Sequence, residues 1–219
     1  MTLQLFGHPF SSYTMKALIA LYENETPFEF RMLGPDHPEN GAELARRWPI
    51  AKFPLLVDGG TTVFETSAII EHLAAFHPGP VALIPADAKA AVPVRMLDRV
   101  FDNYVMTPMG AIVADALRPD EVRDPYGVAK ARGALDTIYA WLDQALAGRP
   151  WAAGDAFTLA DAAAAPALYY ADWAHPIGED RTVLKAYRAR LLARPSFARC
   201  IDDARPYRGF FPLGAPERD

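Results

Sequence analysis

Two neighbouring stretches, WPIAKFPLL at 48–56 and VFETSAII at 63–70, decide the fold of this chain. Pro54 stands at the entrance of an apolar strand, and because proline has no amide hydrogen it must lie at the start or the edge of that strand. The peptide bond before Pro54 is a candidate for the cis form. This arrangement leaves the backbone of Phe53 free to hydrogen-bond with a ligand.

The second stretch passes from a short strand into an apolar helix through Glu65, Thr66 and Ser67. The start of a helix leaves amide hydrogens without partners inside the helix, and the two hydroxyls add further polar groups there. Such a helix start attracts carboxylates. The stretch therefore predicts a binding site for a ligand that carries a carboxylate.

These residues resemble the glutathione-binding half of the glutathione S-transferase family. The family pattern is a Lys-Val-Pro type of strand entrance, then Glu/Gln-Ser before an Ala-Ile helix, and this chain has KFP at 52–54 and ETSAI at 65–69. Thr66 replaces the usual serine and keeps its hydroxyl, while Trp48 stands where a small polar residue is more usual. The resemblance extends over nearly the whole chain and implies a thioredoxin-like α/β domain followed by an all-α domain.

The order of the predicted elements matches this fold. Upstream of His77, short apolar runs and helical patterns follow the order βαβ, then a helical turn within a loop rich in glycine and proline, then ββα. Downstream, segments rich in Ala, Leu and Arg predict helices. We divide the chain into a glutathione-binding domain at 1–77, a linker at 78–87 and a helical domain at 88–219. The predicted strands are 3–6, 28–32, 54–57 and 61–64, and the predicted helices are 12–22, 66–76, 88–117, 126–147, 159–170, 181–193 and 196–204.

The composition argues against several classes of protein. The 219 residues include 22 basic and 27 acidic ones, with a net charge of -5 and no long basic run, so we expect no nucleic-acid partner. No window has the apolar length of a membrane span and the N-terminus lacks the features of a signal peptide, so we expect no membrane association and a cytoplasmic location. The single cysteine, Cys200, excludes an intrachain disulfide and a multi-cysteine metal site.

The chemistry is expected at the first turn from strand to helix, GHPFSSYTMK at 7–16. A thiol has a pKa of about 8.5 and is mostly protonated at neutral pH, so an enzyme that conjugates a thiol must stabilise the thiolate. A hydroxyl at a helix N-terminus does so through a charge-assisted hydrogen bond and the helix dipole. The stretch resembles the serine-type branch of the family, which implies Ser11 as the catalytic residue, with Ser12 as its assistant or its replacement. The alternative is that both serines only cap the helix.

Two other side chains of this turn are weighed against the serines. Tyr13 carries the phenol that other branches of the family use, but it lies further into the helix and we expect it to be packed. His8 is expected to be solvated or hydrogen-bonded rather than to act as a base. No cysteine stands at position 11 or 12, so the mixed-disulfide chemistry of the cysteine-type branches is not expected.

The resemblance implies glutathione as co-substrate, and the groups of glutathione suggest a role for each binding residue. We expect its γ-glutamyl carboxylate at the Thr66 side chain and at the amides of Thr66 and Ser67, with Glu65 beside the ammonium group. The cysteinyl amide would pair with the backbone of Phe53. Lys52 either faces the glycyl carboxylate or is simply an exposed lysine.

The second substrate, a small apolar electrophile, is expected against the helical domain. Candidate pocket residues are Tyr104, Met106 and Phe210, although residues of these types at helical spacing equally fit core or dimer contacts. Asp98 and Asp102 lie one helical turn apart, and they either support glutathione from the helical domain or belong to a solvated face.

Thr158 and Asp161 have the spacing of a capping box at the start of the predicted helix 159–170. The family has a buried capping box that this pair resembles. We therefore interpret Asp161 as a residue that serves folding rather than catalysis.

The sequence as a whole is interpreted as a cytosolic, bacterial-like, serine-type glutathione S-transferase that needs no metal or redox cofactor. The resemblance implies a homodimer and a role in detoxification. Two alternatives stay open. One is a different glutathione-dependent reaction, such as isomerisation, dehalogenation, ether cleavage or peroxide reduction. The other is a binding protein that has kept the architecture without the catalysis.

Overall fold

The N-terminal part of the chain forms a mixed four-stranded sheet with helices on both faces. The computed structural model describes residues 2–219. Its first elements are β1 (Leu3–Gly7), α1 (Ser12–Glu23), β2 (Phe28–Met32), α2 (Pro38–Arg47), β3 (Leu55–Asp58), β4 (Thr61–Phe64) and α3 (Thr66–Phe76). The strand order is β2-β1-β3-β4, with β1 parallel to β2 and the other neighbours antiparallel. The predicted order of elements is confirmed, and the four strands begin and end within one residue of their predicted limits.

Alternating side chains of the central strands explain why both faces of the sheet are covered. Leu5 and Leu56 belong to the large core cluster that includes the apolar residues of α1 and α3. Phe6 and Leu55, one position away on the same strands, pack with Leu44 of α2 on the opposite face. Successive strand residues point to opposite faces, so these apolar runs require a helix on each side.

The segment after β2 is more helical than the sequence indicates. In place of a loop with a helical turn, α2 runs for ten residues. The helix is hidden in the sequence by Asn40 and Gly41, which are poor helix formers. The Asn40 side chain donates to the carbonyl oxygen of Met32 at 2.8 Å and accepts from Arg31 Nε at 2.8 Å. These tertiary hydrogen bonds hold the helix against the end of β2.

The rest of the chain is helical. Residues 77–87 connect the two parts without a helix or strand, and the division of the chain at 78–87 stays a prediction. The helices are α4 (Ala88–Val100), a π-helical segment (Phe101–Met106), α5 (Thr107–Ala116), α6 (Pro125–Ala145), α7 (Leu159–Ala174), α8 (Thr182–Leu192) and α9 (Pro195–Ala204), with short 3-10 turns at Asp120–Val122 and Arg205–Phe210. All 16 residues of α7 are buried, and this alanine-rich helix packs against α1 at the centre of the molecule.

A search of residues 2–219 for a helix both long and apolar enough to span a membrane finds none.

The prediction of one continuous α-helix at 88–117 is wrong, because the π-helical segment interrupts it in the middle. The amide of Thr107 donates to the carbonyl oxygen of Asp102, five residues earlier. Pro108 follows directly and has no amide hydrogen to continue the α-helical pattern. A π-turn inserts one extra residue into a helix, and such turns occur frequently at functional sites.

The capping residue Asp161 lies in the core with no exposed surface. Its carboxylate accepts hydrogen bonds from the amide of Ala152 at 2.7 Å, the hydroxyl of Tyr187 at 2.7 Å and the amide of Thr158 at 2.9 Å. Burial raises the pKa of Asp161, and the hydrogen bonds oppose that shift. Because the carboxylate has no access to a substrate, the structure supports the folding role.

Candidate active site

A polar cleft of about 240 Å³ lies where the sheet meets α4 and the π-helical segment. Its lining brings together all the residues that the sequence predicts for glutathione, and adds others from α1 and the helical part of the chain. The predicted ones are Lys52, Phe53, Pro54, Glu65, Thr66 and Ser67, and the added ones include Tyr13, Trp48, Arg99, Asp102 and Asn103.

One wall of the cleft is the turn before β3. The peptide bond between Phe53 and Pro54 is cis, as the sequence allows. Pro54 is buried directly before the first strand residue, Leu55, whereas the ring of Phe53 is partly exposed. The turn therefore presents Phe53 to the cleft at the mouth of the sheet.

The start of α3 forms another wall. Glu65 precedes the helix with φ of 67°, in the left-handed region. That conformation costs a residue with a side chain about 1 kcal/mol or more, and such residues concentrate at binding sites. Thr66 is buried as the first residue of α3, and its hydroxyl donates to the carbonyl oxygen of Tyr13 in a long hydrogen bond of 3.4 Å. The unpaired amides at this helix end are thus the principal donors available to an anion.

The Ser67 side chain is fully engaged by the helical part of the chain. Its hydroxyl donates to Asp98 Oδ2 at 2.8 Å and accepts from Lys16 Nζ at 3.1 Å. It also accepts from Arg99 Nη2. A hydroxyl has one hydrogen and two lone pairs, so these three partners saturate it. Only the amide of Ser67 remains for a ligand.

Behind Ser67 lies a buried charged cluster. The Lys16 side chain is 1% exposed, and its Nζ lies 2.5 Å from Asp98 Oδ1 and 2.7 Å from Asp102 Oδ2. Both aspartates are buried, so the expectation of a solvated face is wrong. Burial raises the pKa of Asp102, and the charge of Lys16 opposes that shift. Lys16 therefore ties α1 to the helical part of the chain directly beneath the cleft.

Sequence analysis missed two residues of this site, Asn103 and the charged Arg99. Its guanidinium is half exposed at the cleft, and Nη2 lies 2.6 Å from Asp98 Oδ2 and 2.7 Å from Asp102 Oδ2. The i, i+3 spacing of Arg99 and Asp102 on one helix is a signal that could have indicated the pair. Arg99 provides a cation at the cleft in addition to Lys52.

Tyr13 is not packed in the interior as expected. Its side chain is 37% exposed and lines the polar cleft. Burial of the remainder raises the pKa of its phenol, as do the nearby carboxylates, of which Asp102 contributes most. The phenol is therefore held in its protonated form.

Ser11 faces a second, largely apolar cleft of about 250 Å³. It is the N-cap of α1, and its hydroxyl oxygen accepts from the amide of Thr14 at 3.3 Å. Capping is therefore confirmed, but it uses only a lone pair of the hydroxyl oxygen and not the hydroxyl hydrogen. No group within residues 2–219 accepts the Ser11 hydroxyl hydrogen, so capping and donation to a ligand are compatible. Ser12 lines the same cleft.

The three predicted second-substrate residues separate in the structure. Phe210 lines the apolar cleft together with Ser11, whereas Met106 is buried in the core. Tyr104 lies on another surface, a groove of about 870 Å³ between the α4–α5 region and α6. The remaining walls of the apolar cleft include Phe10, Met109, Val113, Leu117, Tyr170, Phe211 and Pro212. Phe10, next to Ser11, is a local signal that sequence analysis missed.

His8 supports the turn that carries Ser11. Its Nδ1 accepts from the amide of Phe10 at 3.1 Å, and its ring meets that of Tyr207 edge-on at 4.6 Å. Burial lowers the pKa of His8. A neutral imidazole that accepts through Nδ1 carries its hydrogen on Nε2, and the expectation of a hydrogen-bonded rather than catalytic histidine agrees with this geometry.

Comparison with known proteins places the whole chain in one family. Residues 1–75 match the family model "Glutathione S-transferase, N-terminal domain" and residues 121–190 match "Glutathione S-transferase, C-terminal domain". The chain is 26% identical over 200 residues to glutathione S-transferase GstB of Escherichia coli, covering 90% of this chain and 96% of that protein. It is 30% identical over 159 residues to a glutathione S-transferase of Pseudomonas putida, covering 73% and 70% of the two chains.

Solved structures agree with this placement. A glutathione S-transferase of Methylobacterium radiotolerans, in complex with glutathione sulfonate, matches with a TM-score of 0.79 and 28% identity over 92% of this chain and 95% of that one. Its fold accounts for both parts of the molecule, the thioredoxin-like sheet domain and the helical domain. The chain therefore belongs to the glutathione S-transferase family and is a glutathione transferase.

Proposed function

We propose that the protein activates glutathione as a thiolate through Ser11 and transfers it to an apolar electrophile. The observation that carries this proposal is the position of the Ser11 hydroxyl at the N-terminus of α1, where no group of residues 2–219 accepts its hydrogen. The two clefts are neighbours at the start of α1, because Ser12 lines the apolar cleft and Tyr13, the next residue, lines the polar one.

The polar cleft matches the charged groups of glutathione. Its γ-glutamyl carboxylate is placed at the amides of Thr66 and Ser67, and its ammonium group near the carboxylate of Glu65. The glycyl carboxylate is placed near Lys52, and the backbone of Phe53 takes the cysteinyl amide. The Ser67 hydroxyl is occupied by its three partners and holds the cleft together, so only the amide of Ser67 is assigned to the ligand. The glutathione sulfonate in the Methylobacterium relative supports a glutathione compound as the ligand.

The reaction then needs little more than charge stabilisation. Ser11 donates its hydrogen to the glutathione sulfur, and the positive end of α1 favours the anion, so the thiol loses its proton to solvent. The thiolate attacks the electrophilic carbon, a carbon–sulfur bond forms and the leaving group departs with its electron pair. The aromatic rings of Phe10, Tyr170 and Phe210 favour an apolar, aromatic electrophile. A cytoplasmic location and a role in detoxification are part of this proposal.

Ser11→Ala is expected to lower kcat/KM by about 100-fold or more, as for loss of one donor to a developing anion. The pKa of bound glutathione should move back towards that of a free thiol. The measurement is the ultraviolet absorbance of the thiolate at saturating glutathione as a function of pH, with Ser12→Ala in parallel.

The variant also removes an N-cap, which costs about 1 kcal/mol of stability. Ser11→Gly serves as the control, because glycine replaces a cap residue at a cost of only a few tenths of a kcal/mol. If Ser12→Ala alone lost the thiolate signal, the role would belong to Ser12. An unchanged signal in both variants would remove the serine mechanism.

Glu65→Ala is expected to weaken glutathione binding by about 10-fold, and Lys52→Ala by less than about 3-fold. The reason is that Glu65 faces a charged group at a structured helix start, whereas an exposed lysine contributes little. Calorimetric titration of both variants with glutathione measures the order. Glu65→Gln keeps the size of the side chain and separates loss of charge from loss of contact. The reverse order of affinities would contradict the assignment.

We also propose that the protein is a homodimer. The groove between the α4–α5 region and α6 is apolar, and Tyr104 and Trp141 within it are 60% and 44% exposed. Apolar surfaces of this kind in soluble proteins mark interaction sites. Light scattering after size-exclusion chromatography should give twice the mass of the 24.1 kDa chain. Trp141→Glu should shift that mass to a single chain, and a monomeric wild-type protein would exclude the proposal.

A further inference from the structure

A cluster of potential metal ligands lies outside the active site. Asp58 ends β3, His72 belongs to α3 and His77 is the C-cap of the same helix. His72 Nε2 lies 2.9 Å from Asp58 Oδ2, and His77 Nε2 lies 2.7 Å from the same oxygen. The fold thus brings three ligand-bearing side chains from two elements to one point.

This cluster lies at the far end of the elements that build the glutathione cleft. β3 starts next to Pro54 in the cleft and ends at Asp58, and α3 starts at Thr66 in the cleft and runs towards His77. His72 is six residues along α3 from Thr66, about 9 Å at 1.5 Å per residue. None of the three side chains takes part in the proposed transfer reaction.

The geometry is that of an open three-ligand site. One ligand atom from each of the three side chains, an imidazole nitrogen or a carboxylate oxygen, lies within 4.8 Å of the other two. Zinc bonds of about 2.0–2.1 Å in a tetrahedral arrangement place ligand atoms about 3.3 Å apart, so small side-chain movements suffice. The three side chains are 13%, 32% and 24% exposed for His72, His77 and Asp58, which leaves a path for the ion and room for a water as fourth ligand.

The surroundings of the cluster favour ligand binding further. Both imidazoles already lie against the same carboxylate oxygen of Asp58, so the three side chains converge on one point without a change of backbone. The ring of Phe76 lies 4.6 Å from that of His72 and restricts its orientation. A neutral imidazole carries its single hydrogen on either nitrogen, so a shift of that hydrogen to Nδ1 frees each Nε2 for a metal.

We propose that Asp58, His72 and His77 form a binding site for one divalent transition-metal ion, with Zn²⁺ as the expected occupant. Two imidazoles and one carboxylate suit zinc and its neighbours in the first transition series, whereas Ca²⁺ and Mg²⁺ require mostly oxygen ligands. The ion would cross-link the β3–β4 hairpin to the end of α3. It stabilises the fold and takes no part in glutathione transfer.

The test is calorimetric titration of ZnCl₂ into the untagged full chain after treatment with a chelator. We expect one site per chain. His72→Gln and His77→Gln each keep a hydrogen bond to Asp58 but remove an imidazole ligand. Each should weaken zinc binding by more than about 100-fold. Loss of a residue that only hydrogen-bonds to a metal ligand has a smaller effect. His175→Gln is the matched control, because His175 Nε2 also lies 2.7 Å from an aspartate, Asp136, but residues 2–219 offer that pair no third ligand. It should bind zinc as the wild type does.

A second measurement makes the result independent of heat signals. Zinc should raise the melting temperature of the wild type and of His175→Gln, because a ligand that binds only the folded state stabilises it. The melting temperature of His77→Gln should not change. His77 is the more exposed histidine, so this variant tests the proposal even if His72→Gln fails to fold. Absence of binding at millimolar zinc, or equal binding by His77→Gln and the wild type, would show that the cluster is only a hydrogen-bonded anchor.

Discussion

Lys16→Met is expected to lower the free energy of unfolding by about 3–5 kcal/mol, because it leaves two buried carboxylates without their buried cation. Lys16 Nζ lies 2.5 Å from Asp98 and 2.7 Å from Asp102. Only the half-exposed guanidinium of Arg99 would remain to face both. Urea denaturation measures the loss. Glutathione affinity should fall as well, because the same ammonium group holds the Ser67 hydroxyl beneath the cleft.

Lys185→Met is the matched control for this prediction. Lys185 Nζ lies 2.6 Å from Glu179 Oε1, but both side chains are exposed, and an exposed pair contributes less than about 1 kcal/mol. If the two variants lost the same free energy of unfolding, the cluster around Lys16 would stabilise the fold no more than an exposed ion pair does.

A second check is the pH dependence of the stability deficit, the free energy of unfolding that Lys16→Met loses relative to the wild type. Burial already raises the pKa of Asp102, and Lys16 is the main group that opposes this shift. Without Lys16 the folded-state pKa of Asp102 rises further, so the folded variant binds a proton more readily than its unfolded chain does. The stability that such a group contributes to the folded state is lost as pH rises through its folded-state pKa. The deficit of the variant should therefore be smaller at acid pH than at neutral pH.

Asp161→Ala is expected to lower the free energy of unfolding by roughly 3–5 kcal/mol, since it leaves several buried donors without an acceptor. The amides of Ala152 and Thr158 and the hydroxyl of Tyr187 all donate to this carboxylate, and the Thr158 hydroxyl adds a bond of 3.1 Å. The catalytic constants of the folded fraction should stay unchanged, because Asp161 has no contact with either cleft.

The control for Asp161→Ala is Asp87→Ala. Asp87 is also a helix N-cap, accepting from the amide of Ala90 at 2.7 Å at the start of α4, but it is exposed. Loss of an ordinary exposed cap costs about 1 kcal/mol. Chemical denaturation should separate the two variants clearly, and a similar loss in both would mean that the Asp161 network contributes no more than a cap.

Local turn chemistry explains how much of the binding site could be predicted from the sequence. Pro54 before an apolar strand and Glu65-Thr66-Ser67 before an apolar helix specify their conformations through residues close in the chain. The structure places all of them in one cleft. The helix α2 escaped prediction because Asn40 obtains its partners from β2, which local propensity cannot indicate.

The π-helical segment explains most of what the sequence did not predict. A period of 3.6 residues predicts which face of the helix each residue from 88 to 117 occupies only if the α-helix is uninterrupted. One additional residue in the π-turn rotates all later positions by about 100° relative to those before it. Asp102 therefore joins the buried cluster, while Tyr104 faces the groove towards α6 and Met106 enters the core. Of the three predicted second-substrate residues, only Phe210, outside the segment, lies beside Ser11.

The saturated hydroxyl of Ser67 has a consequence for recombining this enzyme with its relatives. Its three partners come from both halves of the molecule, Lys16 from the sheet domain and Asp98 and Arg99 from α4. A chimera joined in the connector at 77–87 would separate Ser67 and Lys16 from the carboxylates and the guanidinium that they contact in this protein. Functional hybrids should therefore require that residues 98–102 travel with the N-terminal half, even though they lie beyond the natural crossover point.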